Sequence, residues 1–61
     1  MSDQLLYKPE EAAQVLGLGR SKVFQLMAAG SLESVVIGRS RRVPRESLLA
    51  FVAAVRTAQR Q

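Results

Sequence analysis

Sixty-one residues without a cysteine or a histidine leave no disulfide and no thiolate or imidazole metal site. A chain this short buries only about 60% of the surface its unfolded form exposes, which rules out a deep catalytic cavity. Hydrophobic residues at 48% and charged residues at 23% are ordinary globular usage and exclude wholesale disorder, while nine Lys and Arg against five Asp and Glu give a formal charge of +4 that favours a polyanionic partner.

The N-terminus has no positive region ahead of an apolar one, and no apolar run approaches membrane-spanning length, so a cytoplasmic protein without a membrane partner is expected. Residues 1–4 read as a flexible polar start. Leu5-Leu6-Tyr7 reads as an extended lead-in or a stub of strand. Pro9 then opens a first helix, because its missing N–H is not needed there, and Glu10 and Glu11 complement the positive end of the helix dipole. Lys8 stands at the N-cap, where it offers no acceptor, so this turn is expected to fray. Ala12, Ala13 and Leu16 share a face, Gly17 stops the helix, and the two small alanines imply a close helix crossing.

Gly17-Leu18-Gly19 is a tight turn into a second helix that ends at Gly30. Val23, Leu26 and Met27 at i, i+3 and i+4 point to a core. Arg20, Ser21, Lys22 and Gln25 lie off that face. A surface helix with a polar front accounts for these fourteen residues as well as a DNA-reading helix does. Arg20 and Lys22 nevertheless oppose the helix dipole, typically by a few tenths to about 1 kcal/mol each. Stability does not explain them, whereas a phosphate at that helix end does.

From Ser34 the pattern changes. Val35, Val36 and Ile37 are β-branched, Gly38-Arg39-Ser40 has turn composition, and Arg41-Arg42-Val43 returns, which predicts a short hairpin. Residues 39–45 hold four arginines in seven positions. A solvated edge strand would also use arginine, but the shape and charge suit a DNA-binding wing on the minor groove or backbone, formed by Arg39, Ser40, Arg41 and Arg42. Pro44 ends the strand, Glu46 favours a third helix, and Leu48, Phe51, Val52 and Val55 form its apolar stripe. Val36 and Leu49 are expected to finish the edge of a small core; contact with a neighbouring copy or partner is the alternative, with Arg56 and Arg60 of the polar tail as further candidates. Residues 57–61 read as flexible, and residues 1–61 as one domain.

Pro9-Glu10-Glu11-Ala12-Ala13, Leu16-Gly17-Leu18, Arg20-Ser21-Lys22-Val23-Phe24, Ala29-Gly30-Ser31-Leu32, Ile37-Gly38-Arg39, Arg42-Val43-Pro44-Arg45-Glu46 and Leu48 follow one another almost from end to end. In this order they resemble the excisionase family of small DNA-binding domains, which is similar to the winged-helix domain of MerR-type regulators. The resemblance implies a mainly α fold with a small β-hairpin: a winged helix-turn-helix of three helices and a two-stranded wing. It implies a recognition helix from Arg20 to Ala29 in the major groove, with Arg20, Ser21, Lys22, Phe24 and Gln25 at DNA, and a wing at Gly38 to Arg42. The chain departs from the family at Lys8 and Gly19, where hydroxyl caps are usual, at Phe24, where Tyr is frequent, and at Arg41, where an aromatic wing residue is common.

The expected function is that of an architectural excisionase, bending attachment-site DNA beside a site-specific integrase and neighbouring copies of itself, with Gln25 reading a base edge such as adenine. A small MerR-like transcriptional regulator is the alternative, although such regulators carry a long dimerisation helix that this chain does not reach. A protein-interaction module with an acidic partner is a third reading. No cofactor and no metal are expected. No enzyme is expected either, since Glu10 and Glu11 already have a helix-capping role and no Gly-rich phosphate loop appears.

Overall fold

The computed structural model describes residues 4–60 as strand β1 (Leu6–Tyr7), helix α1 (Pro9–Leu16), helix α2 (Arg20–Ala28), strands β2 (Val35–Ile37) and β3 (Ser40–Pro44), and helix α3 (Arg45–Gln59). Helix α1 begins as Pro9, Glu10 and Glu11 require. Its N-cap is repaired from the opposite side: Glu11 Oε1 accepts the Lys8 backbone N–H at 2.8 Å, and Gln4 Nε2 donates to the same oxygen at 3.0 Å. Half a capping box therefore closes the turn that was expected to fray. The Lys8 backbone N–H, then Gln4, lower the Glu11 carboxyl below its usual value, so this cap is ionised at neutral pH and loosens only as pH falls through that lowered value.

Both early helices end in the same way. Gly17 takes φ 71°, its N–H donates to Gln14 at 3.2 Å, and the Leu18 N–H donates to Ala13 at 2.9 Å. Gly30 takes φ 81°, with Gly30 N–H to Met27 at 3.2 Å and Ser31 N–H to Leu26 at 2.9 Å. These are two Schellman stops, and each turns the leucine beside it, Leu18 or Leu32, back toward the core. The core is Tyr7, Ala12, Ala13, Val23, Leu32, Val43 and Leu48, with Leu16, Leu18, Leu26, Met27 and Phe51 packed around it. Ala12 and Ala13 are buried, and α1 packs against α2.

The three strands form one antiparallel sheet in the order β1-β3-β2. The two-stranded wing is thus joined at its base by a third strand, with Tyr7 opposite Val43 and Leu6 opposite Pro44. The Arg45 N–H, an amide left open at the start of α3, donates to the Leu5 carbonyl at 2.8 Å. Ser40, expected in the turn, instead opens β3 opposite Ile37. The turn is Gly38-Arg39 alone; Gly38 takes φ 64° and among the described residues no non-glycine has positive φ, the type II′ pattern that places glycine first. Tyr7 is buried to the ring, and among the described residues its hydroxyl has no hydrogen-bond partner.

Helix α3 continues through Gln59, so positions 56–59, read as a polar tail, are helical. Arg56, Ala58 and Gln59 are good helix formers, and Arg56 also complements the negative end of the dipole. Only the N-terminal part of its stripe is covered. Leu48 is buried and Phe51 half-buried, but Val52 and Val55 remain 42% and 40% exposed, because α3 runs past the core it starts on. Residues 1–3 and 61, part of the expected flexible ends, lie outside the described residues. None of the described helices is long and apolar enough to cross a membrane.

Candidate nucleic-acid interface

Helix α2 has no side-chain cap, and its first intrahelical bond is Val23 N–H to Gly19 carbonyl at 3.1 Å. The amides of its first turn therefore face outward with the positive end of the dipole. At roughly 100° per residue, Val23, Leu26 and Met27 take the core side and Ser21, Gln25 and Ala28 take the centre of the exposed side. The two cations do not lie together. Arg20 and Lys22 are about 160° apart on the helix and hold its two flanks.

Each flank has a different neighbour. Arg20 Nε donates to Glu10 Oε2 at 3.3 Å, and the Arg20 guanidinium lies 4.7 Å from the centre of the Phe24 ring. Both side chains of this ion pair are more than half exposed, so it orients Arg20 rather than stabilising the fold. The Glu10 backbone N–H, then Arg20, hold the Glu10 carboxyl below its usual value, and the pair is ionised at neutral pH. On the far flank Lys22 borders a groove of about 300 Å³ against α3, with Leu16, Leu18, Leu26, Phe51 and Val55.

Strand alternation divides the wing arginines. Val43 faces the core, so Arg41 two residues earlier shares its face, and Val36 lies directly opposite Arg41 on that side. Arg41 Nη1 donates to Ser34 Oγ at 2.9 Å, and Arg41 meets Phe24, Met27 and Ala28 across a cleft of about 290 Å³ between α2 and the hairpin. Arg42 and Ser40 are on the opposite face. Arg42 Nη1 donates to the Arg41 carbonyl at 2.9 Å, and its charge also helps hold Glu11 ionised. Arg39 stands at the exposed tip, and Arg45 is the half-buried first residue of α3. The four arginines that are adjacent in sequence are thus dispersed over the tip, two faces and the strand end.

The expected site residues therefore fall into three groups. Phe24 and Arg41 line one cleft, and Ser21 and Gln25 are exposed on the outer side of the same helix, with Arg20 on its flank and Arg39 at the hairpin tip. Lys22, on the other flank of α2, and Arg42, on the opposite face of the hairpin, do not line that cleft. Leu49, 59% exposed, and Arg56 share a shallow groove with Val15 and Val52 between α1 and α3, whereas Val36 belongs to the hairpin and Arg60 to the end of α3. Sequence reasoning missed Ala28 and Glu10 as members of the surface. The spacing of Ala28 from Phe24, one helical turn, was the available signal.

A family model described as a helix-turn-helix domain matches residues 6–56. A probable excisionase of Saccharopolyspora erythraea is 47% identical over 53 residues, which are 87% of this chain and 54% of that protein. The chain thus spans about half the length of the curated relative it matches. No solved structure matches significantly.

Proposed function

Because this chain belongs to the helix-turn-helix domain family, we propose that it is an architectural DNA-binding protein of the excisionase type, acting on attachment-site DNA beside a site-specific integrase. The observation that carries the DNA contact is that the exposed side of α2 and the Arg41 face of the hairpin border the same cleft. Helix α2 enters the major groove with Ser21, Gln25 and Ala28 toward the base edges; Arg20 and Lys22, on opposite flanks, reach the phosphates bordering that groove. Arg39 at the hairpin tip meets the adjacent backbone or minor groove. The probable excisionase in the matched relative's name supports the recombination role. Neighbouring copies on the DNA meet through the apolar surface around Leu49, which supplies the specificity that one short module lacks.

Gel-shift titration on attachment-site and promoter duplexes at several salt concentrations tests this reading. Cooperative, salt-sensitive shifts on attachment-site DNA, with mobility indicating a bend, are expected; selective promoter binding would replace the excisionase role by transcriptional regulation, and no specific shift would overturn the DNA contact.

Two further results are expected from the way the charges are placed. Arg39→Ala should flatten the plot of log affinity against log salt by about one unit, whereas Arg42→Ala, whose side chain faces Glu11, should leave that slope unchanged. Equal slopes for the two variants would remove the division between wing faces. Glu10→Gln releases Arg20 and deletes a carboxylate beside the phosphates. Its affinity for mixed-sequence duplex should rise severalfold while the ratio of specific to non-specific binding falls; an unchanged ratio in competition shifts would show that Glu10 does not orient Arg20.

A further inference from the structure

The helix side of the cleft between α2 and the hairpin offers no hydrogen-bonding side chain. Phe24, Met27 and Ala28 form its helix side, and Arg41, tethered to Ser34 Oγ at 2.9 Å, supplies the polar lining on the hairpin side. One face of the Phe24 ring is occupied by the Arg20 guanidinium, which Glu10 holds in turn, so the aromatic group is fixed and still 37% exposed. Ala28, the smallest side chain of the group, leaves room one helical turn further on. The apolar helix side of this cleft cannot distinguish the donors and acceptors of the major groove. The feature of that groove it can accept is the C5-methyl group of thymine, the apolar mark among the four base pairs.

We propose that Phe24, with Met27 and Ala28, is a specificity-determining recess for a thymine methyl, and that Arg41 closes over it onto the neighbouring phosphate. The inference rests on the major-groove placement of α2 given above. It makes the recognition surface two-part: Ser21 and Gln25 read polar base edges, and the wing side of the same helix reads a methyl group.

The test uses a duplex selected from a random-sequence pool by binding to the intact protein, in which each thymine is replaced in turn by deoxyuridine. Removing the methyl at one position should weaken binding about fourfold, the equivalent of one buried methylene, and replacement at the other thymines should have little effect. Phe24→Ala should bind the thymine and uracil duplexes equally with an unchanged salt slope, and Phe24→Leu, which keeps an apolar lining, should retain a difference. Circular dichroism establishes that both variants fold. Specific binding by the intact protein with no sensitivity to any thymine methyl would overturn the recess while leaving the DNA contact standing. A difference that persists in full in Phe24→Ala would assign methyl reading to another residue. Failure to select any duplex would overturn the DNA contact and the recess together.

Discussion

Leu32→Ala is expected to lower the melting temperature by about 10–30 °C and to leave a substantial fraction of the chain unfolded at 37 °C. Leu32 is 1% exposed and, with Val23 and Val43, is among the largest fully buried side chains. Truncating such a leucine costs about 2–5 kcal/mol when the cavity cannot collapse. At about 0.05–0.15 kcal/mol per residue, a 61-residue domain has only about 3–9 kcal/mol in total. Collapse is hindered because the Leu32 N–H is tied to the Leu26 carbonyl at 3.2 Å beside the Gly30 stop. The side chain lies on the segment joining α2 to β2, so its loss also frees α2 from the hairpin. Thermal melting by circular dichroism checks this, with Leu32→Met as the volume-conserving control that should lose less than about 1.5 kcal/mol. A shift of only a few degrees in Leu32→Ala would show that the core does not depend on this residue.

Arg41→Glu is expected to weaken DNA binding about 100-fold or more at moderate salt while leaving the melting temperature nearly unchanged. The side chain is exposed, and its hydrogen bond to Ser34 is a surface contact, so the fold does not depend on it. Its position in the cleft between α2 and the hairpin is what makes the charge matter. Reversal removes one charge-assisted contact and adds a repulsive carboxylate against the phosphates. The salt slope should fall by up to about two units, one for each step of charge. Fluorescence anisotropy with a labelled duplex over a salt series measures both quantities. Undiminished affinity in Arg41→Glu would place the DNA on a different surface.

Features that act locally were legible in the sequence. Pro9-Glu10-Glu11 start a helix, and Gly17 and Gly30 stop helices, because each is satisfied by amides or carbonyls only a few residues away. The hairpin was equally readable from Val35 to Val43. Strand β1 was visible only as an option, since two residues cannot establish an alternation and Tyr7 is fixed by Val43 from the far side of the chain. The arginines of the wing looked like one patch because adjacency in sequence conceals the alternation of faces that the register imposes. The stripe on α3 was read correctly as a face, but periodicity does not say what covers a face, and Val52 and Val55 extend past the core. Phe24 was placed at the interface by family resemblance; its partners Met27, Ala28 and Arg41 required the helix and hairpin to be seen together.

The sheet order β1-β3-β2 also separates the chain's contacts in time. Hairpin β2–β3 closes over two residues, Gly38 and Arg39, whereas β1 reaches β3 only after the whole chain between Tyr7 and Val43 has been gathered. Loop-closure entropy rises with that separation, so early pairing favours the hairpin and late pairing the N-terminal strand. The arginine-bearing wing thus belongs to the fast part of assembly, and its fastening to the core to the slow part. Pulsed amide exchange during refolding should show Ile37 and Arg42, whose amides bond across the hairpin, protected before Tyr7, and simultaneous protection would mean that the sheet forms in a single step.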